Sequence, residues 1–96
     1  MLPNRKILVV PILDGWPKLV DGLFVGVADQ LDVIDRARAL AESLGLDNCM
    51  FTEGNADDLP WRDGFFTDIY TSGPITPEIR RVLAEGGHIH EWQSMS

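Results

Sequence analysis

The sequence predicts an α/β fold: one parallel sheet of about five strands in three layers, with helices on both faces. Three observations carry this prediction. Short apolar, β-branched or aromatic runs recur along the chain, at residues 6–10, 23–28, 48–53, within 65–73 and at 88–92. Stretches with helical spacing lie between the later runs, and strands alternating with helices pack as a parallel sheet covered on both sides. At 96 residues, 45% of them hydrophobic, the chain has room for a single domain, taken as residues 1–96.

KILVV, residues 6–10, is a short buried-strand signal ended by Pro11, and LFVGVA, residues 23–28, is a second. The intervening PILDGWPKLVDG is close to the minimum length for a right-handed parallel crossover. Its Asp14-Gly15 and Asp21-Gly22 pairs admit an alternative, an antiparallel meander over residues 6–28 with hairpin turns at both pairs. That alternative puts Pro17 inside a middle strand, where its missing donor is tolerated only at an edge.

In LDVIDRARALAESLG the residues Val33, Ile34, Ala37, Leu40, Ala41 and Leu44 repeat with helical spacing and are expected to face inward. Asp29 is placed to cap this helix, Asp32 supports its first turn and pairs with Arg36, and Gly45 ends it in a left-handed conformation. NCMFTE reads as a third strand, ADDLPWRDG as a loop with one helical turn, and FFTDIYTSG contains a fourth strand. Thr76-Pro77-Glu78 opens a second helix, with Ile79, Val82 and Leu83 inward and Gly86-Gly87 closing it before HIHEW, the fifth strand. The order is that of a Rossmann-like sheet, in which ligands bind beyond the carboxyl ends of the strands.

Fifteen acids against eight bases give a net charge of −7, and no Lys/Arg cluster tracks a phosphate backbone, so nucleic acid is not an expected partner. No apolar run suits a signal peptide or membrane span, and the lone Cys49 forms no intrachain disulfide, so the cytoplasm is the expected compartment. His88 and His90 alternate on one strand face, with Glu91 and Cys49 as conceivable companions. Glu91 falls on the opposite face, so no metal site is expected from spacing alone. Cys49 reads as a small buried apolar residue, Trp16, Trp61 and Trp92 as core or interface, and Ser43 and Ser72 lack a nucleophile pattern.

Three stretches together resemble class I S-adenosylmethionine-dependent methyltransferases of the small-molecule type, over about residues 23–91. VGVADQLDVIDRAR resembles the family's second strand and following helix. GNADDLPWRDGFF resembles its adenine loop, and EIRRVLAEGGHI the helix and glycine pair before the fifth strand. The resemblance implies S-adenosylmethionine as cofactor, with Gly15, Gly26, Asp29, Asn55 and Ala56 as the residues nearest to it.

The chain departs from the family pattern at defined positions. The acid that ends the second strand and grips the ribose hydroxyls is Ala28 here, with Asp29 one residue late. The adenine-loop acid is Asn55, whose amide oxygen remains an acceptor, and Asp57 and Asp58 read as solvated turn residues. Pro11 stands where a glycine of the first loop is expected, Val9 where the first strand often carries an acid, and Thr67 where an acid would follow Phe66. Ser72-Gly73-Pro74 keeps only the turn of the motif that grips a target nitrogen.

The expected function is therefore a degenerate methyltransferase-like domain with weak or absent cofactor binding, in which methyl transfer is the weaker reading. The alternatives are an active methyltransferase completed by dimerisation and a non-catalytic oligomeric interaction module. The sequence stops short of the family's last antiparallel strands, which leaves the fifth strand as an apolar edge; a homodimer through residues 88–93 is expected.

Overall fold

In a computed structural model, which describes residues 5–12 and 15–91, five strands form a single sheet. They are β1 (Lys6–Val9), β2 (Leu23–Ala28), β3 (Cys49–Glu53), β4 (Phe66–Thr71) and β5 (Leu83–Glu91). Helix α1 (Leu31–Ser43) joins β2 to β3, and α2 (Pro77–Val82) joins β4 to β5. The strand order is β3-β2-β1-β4-β5 and every pairing is parallel. The order reverses between β1 and β4, as in a doubly wound sheet.

Alternate residues of each strand feed two cores, one on each face of the sheet. Ile7, Val9, Phe24 and Phe51 meet Trp16 and the Ile34, Ala37 and Ala41 stripe of α1 on one face. On the other, Leu8, Val25, Val27, Phe66 and Ile69 meet Leu59 from the long loop and Ile79 and Val82 from α2. This two-sided burial accounts for the apolar runs of β1 and β2, since both rows of side chains are inside.

The link from β1 to β2 is a parallel crossover, so the meander is ruled out. A single 3-10 turn at Trp16–Leu19 takes the place of a full helix, preceded by Gly15 at φ 89°. Trp16 fills the space left by the shortened connection: its ring stacks on Phe24 at 5.3 Å between centroids and meets Phe51 edge-on at 5.0 Å. One large aromatic here supplies burial that several smaller residues of a longer helix would otherwise provide.

Four local expectations are corrected. Asp29 does not cap α1; the N-cap is Gln30, with no side-chain cap bond. Leu40 and Leu44 are 41% and 52% exposed. Leu40 lies about 100° of helical rotation from buried Ala41, and Leu44 follows the last turn, so both fall outside the narrow stripe that meets the sheet. Gly86 and Gly87 do not end a helix: α2 stops at Val82, and the pair lies within β5. There β5 bulges, because Leu83 opposes Phe66 but His88 already opposes Asp68. Leu83 accordingly opens the strand instead of closing the helix. The loop after β3 contains no helical turn but a short bridge between Asn55 and Asp58. Gly45, in contrast, ends α1 at φ 72° as expected.

Candidate functional site

A cleft of about 300 Å³ opens at the carboxyl ends of β1, β2 and β3. Its walls are Val10 and Pro11 after β1, Val27, Ala28 and Asp29 at the end of β2, and Gly54, Asn55 and Ala56 after β3. Three of the five residues expected near a cofactor, Asp29, Asn55 and Ala56, converge here. The other two stand apart: Gly15 belongs to the turn before Trp16, and Gly26 is covered.

What covers Gly26 is the first loop itself. The Ile12 backbone N–H donates to Val27 O at 2.9 Å, which seats the loop on the end of β2. A Cβ at position 26 would lie 2.8 Å from Ile12 Cδ1 and 3.0 Å from Phe51 Cδ1, so this glycine accommodates packing and leaves no open approach to its backbone.

At the end of β2 the buried residue is Ala28, and its carbonyl accepts the Gly54 N–H at 2.8 Å. Asp29 comes one step later, on the exposed rim. Asn55 Oδ1 accepts the Asp57 backbone N–H at 2.8 Å, an Asx turn that leaves the amide NH₂ as its unused polar end. Among the described residues the cleft thus holds no buried carboxylate and one carboxamide already engaged in its own loop.

The wall after β3 is clasped by α2, an arrangement not foreseen from the sequence. Thr76 caps α2 through the Ile79 N–H, and its hydroxyl donates to Ala56 O at 2.6 Å. Glu78 Oε1 accepts the Leu59 N–H at 3.1 Å, while Arg81 donates to Leu59 O, to Glu78 and to Asp63. The Arg81 hydrogen bond and then the Leu59 N–H hold the Glu78 carboxyl down at about 2. Glu78 and Arg81 are three apart on one helix, a spacing visible in the sequence; their shared target in the loop is not.

A second polar cluster lies away from this cleft, on β4 and β5. Asp68 is 7% exposed, and its Oδ2 receives Arg5 Nε at 3.2 Å and the Thr67 hydroxyl at 2.9 Å. Its Oδ1 is 3.3 Å from His90 Nε2. Burial pushes the Asp68 carboxyl up, but the hydrogen bonds from Thr67, His90 and Arg5, with the Arg5 charge, outweigh it and hold the group below the usual carboxylate range. Thr67 also accepts the Lys6 N–H at 3.0 Å, so the residue standing where an acid was expected ties β4 to β1. Beside this cluster is a wider hollow of about 390 Å³, bounded by Arg5, Thr67, Asp68 and the β5 bulge. It lies toward the amino ends of the strands, so the smaller cleft is the one positioned as in doubly wound sheets. Cys49 is half-buried, and burial and then the Asp47 charge push its thiol up, away from reactivity.

No protein-family model and no curated protein matches the chain. Among solved structures, the YcgJ protein from Bacillus subtilis is similar, with a TM-score of 0.80 and 22% sequence identity over 90% of this chain. The chain spans 42% of the length of that protein, and the likeness is one of fold. Among the described residues no helix is long and apolar enough to cross a membrane.

Proposed function

We propose that this chain is a degenerate methyltransferase-like domain whose S-adenosylmethionine site no longer binds tightly and does not turn over. The observation that carries this reading is the end of β2, where Ala28 occupies the buried position at the cleft and the first carboxylate, Asp29, stands on the exposed rim. Gripping two vicinal hydroxyls takes a fixed pair of acceptor oxygens, which an alanine cannot offer. Ile12 seated over Gly26 and the Asn55 oxygen committed to Asp57 support the same conclusion. Methyl transfer depends on positioning and on excluding water, and the exposed Ser72-Gly73-Pro74 turn gives little cover.

Restoring the carboxylate tests the reading. Ala28→Asp is expected to tighten S-adenosylhomocysteine binding at least about tenfold, or about 1.4 kcal/mol, with thermal melts confirming that the variant is folded. Unchanged affinity in a folded variant would contradict it.

A second reading, a non-catalytic oligomeric module, is favoured by β5. This strand is nine residues long and lies at one edge of the sheet, with no strand paired on its outer side among the described residues. The homodimer through residues 88–93 belongs to this reading; residues 92 and 93 lie outside the described residues. Sedimentation across a concentration series is expected to show a monomer–dimer equilibrium, and a monodisperse monomer at the highest concentration would refute the interface.

A further inference from the structure

We propose that His88 and His90 form a two-imidazole site for a late divalent transition-metal ion such as Zn²⁺ or Ni²⁺, on one face of edge strand β5. The two residues alternate along β5 and so project to the same face, in register with Asp68 and Tyr70 of β4. Their ring centroids are 6.2 Å apart. Two imidazoles bound to one ion through nitrogens at about 2.0–2.1 Å, at angles of roughly 90–109°, have ring centres roughly 4.5–5.2 Å apart, so the two rings must draw together by about 1 Å to share an ion.

The spacing of the two histidines was weak support by itself. The structure adds a carboxylate behind them and a stack that fixes one ring. Asp68 Oδ1 lies 3.3 Å from His90 Nε2, and with Nε2–H donating there the Nδ1 lone pair is the ring's other pole. A carboxylate receiving one ring nitrogen orients a ligating histidine and raises its basicity, as in metal centres generally. Tyr70 stacks on the His90 ring at 4.5 Å between centroids and 20° between planes, which restrains its rotation. His88 is exposed, while Asp68, pinned by Arg5 and Thr67, serves as a positioning residue and not as a ligand.

The companions considered from sequence do not join. Cys49 lies on β3, at the opposite edge of the sheet, and Glu91 follows His90 on the other face of β5. Among the described residues no three His, Cys, Asp or Glu side chains converge on a point, so the protein supplies two ligands and water completes the shell. Imidazole donors suit zinc, nickel and copper over magnesium or calcium.

The test is calorimetric titration of the full chain with NiCl₂ and with ZnCl₂, alongside histidine-ring NMR during the ZnCl₂ titration. One ion per chain is expected, with both histidine rings shifting together. His88→Ala and His90→Ala should each weaken binding at least tenfold and Cys49→Ser should leave it unchanged. Asp68→Asn should weaken it by about 10–100-fold without changing the stoichiometry. The absence of saturable binding, or binding that survives both histidine substitutions or depends on Cys49, would overturn the proposal.

Discussion

Glu78 Oε1 accepts the backbone N–H of Leu59 at 3.1 Å, so a helix that follows the fourth strand holds the loop that follows the third. Arg81 completes the clasp by donating to Leu59 O at 2.7 Å. Leu59 is buried in the second core, so the polar contact and the apolar anchor fix the same residue.

This clasp makes stability depend on acid pH. The Glu78 carboxyl is held at about 2 against 4.5 unperturbed, chiefly by the Arg81 hydrogen bond and then by the Leu59 N–H. A depressed folded-state value contributes stability above the unfolded value and loses it as pH falls through the folded one. The stability advantage of the native chain over Glu78→Gln is therefore expected to be full above about pH 4.5 and to vanish by about pH 2. Urea melts at several pH values measure it, and a constant difference across that window would contradict the account.

Trp16 is the second dependence. It is buried between Phe24 and Phe51 in the place of a missing crossover helix. Trp16→Ala is expected to cost about 3–5 kcal/mol, the usual range for truncating a buried tryptophan. For a domain whose total stability is on the order of 5–15 kcal/mol, that approaches global unfolding. Denaturant midpoints at constant slope test this, and a loss under 1 kcal/mol would mean the first core does not rest on this ring.

The glycines separate by what surrounds them. A Cβ on Gly87 would lie 2.8 Å from Thr67 O, a sheet backbone atom that cannot withdraw. A Cβ on Gly26 meets first the terminal carbon of Ile12, which can rotate away. Gly87→Ala is thus expected to lower the melting temperature more than Gly26→Ala. Gly86, at φ 79° in open space, is expected to lose only about 1 kcal/mol as alanine, from the left-handed backbone. The reverse ranking would show that the β5 bulge is not packed as described.

Much of the architecture was legible because its signals are local. The β2 boundaries at 23–28 follow from an uninterrupted apolar run, and the end of α1 from Gly45. The position of the candidate cleft was legible too, because strand ends follow from strand boundaries; Asp29, Asn55 and Ala56 all line it. What was not legible depends on partners distant in sequence. Gly86-Gly87 resembles a helix stop until the Thr67 carbonyl opposite is known, and Leu40 and Leu44 resemble core until the width of the sheet under α1 is known. Asp29 resembles a cap, yet the chain is still extended at Gln30, and the helix begins one residue too late for Asp29 to serve. The Glu78–Leu59 clasp and the Asp68–His90 contact join residues 19 and 22 positions apart, beyond the reach of any periodicity.

The central claim concerns the cleft at the end of β2, and calorimetric titration with S-adenosylhomocysteine tests it most directly. This ligand keeps the ribose and adenine of the cofactor and is not consumed. The account predicts no saturable heat and no thermal shift below about 1 mM, an affinity weaker than about −4 kcal/mol. Saturable binding near 1 μM, about −8 kcal/mol, would contradict it and would mean that Asp29 or a second subunit supplies the grip that Ala28 lacks.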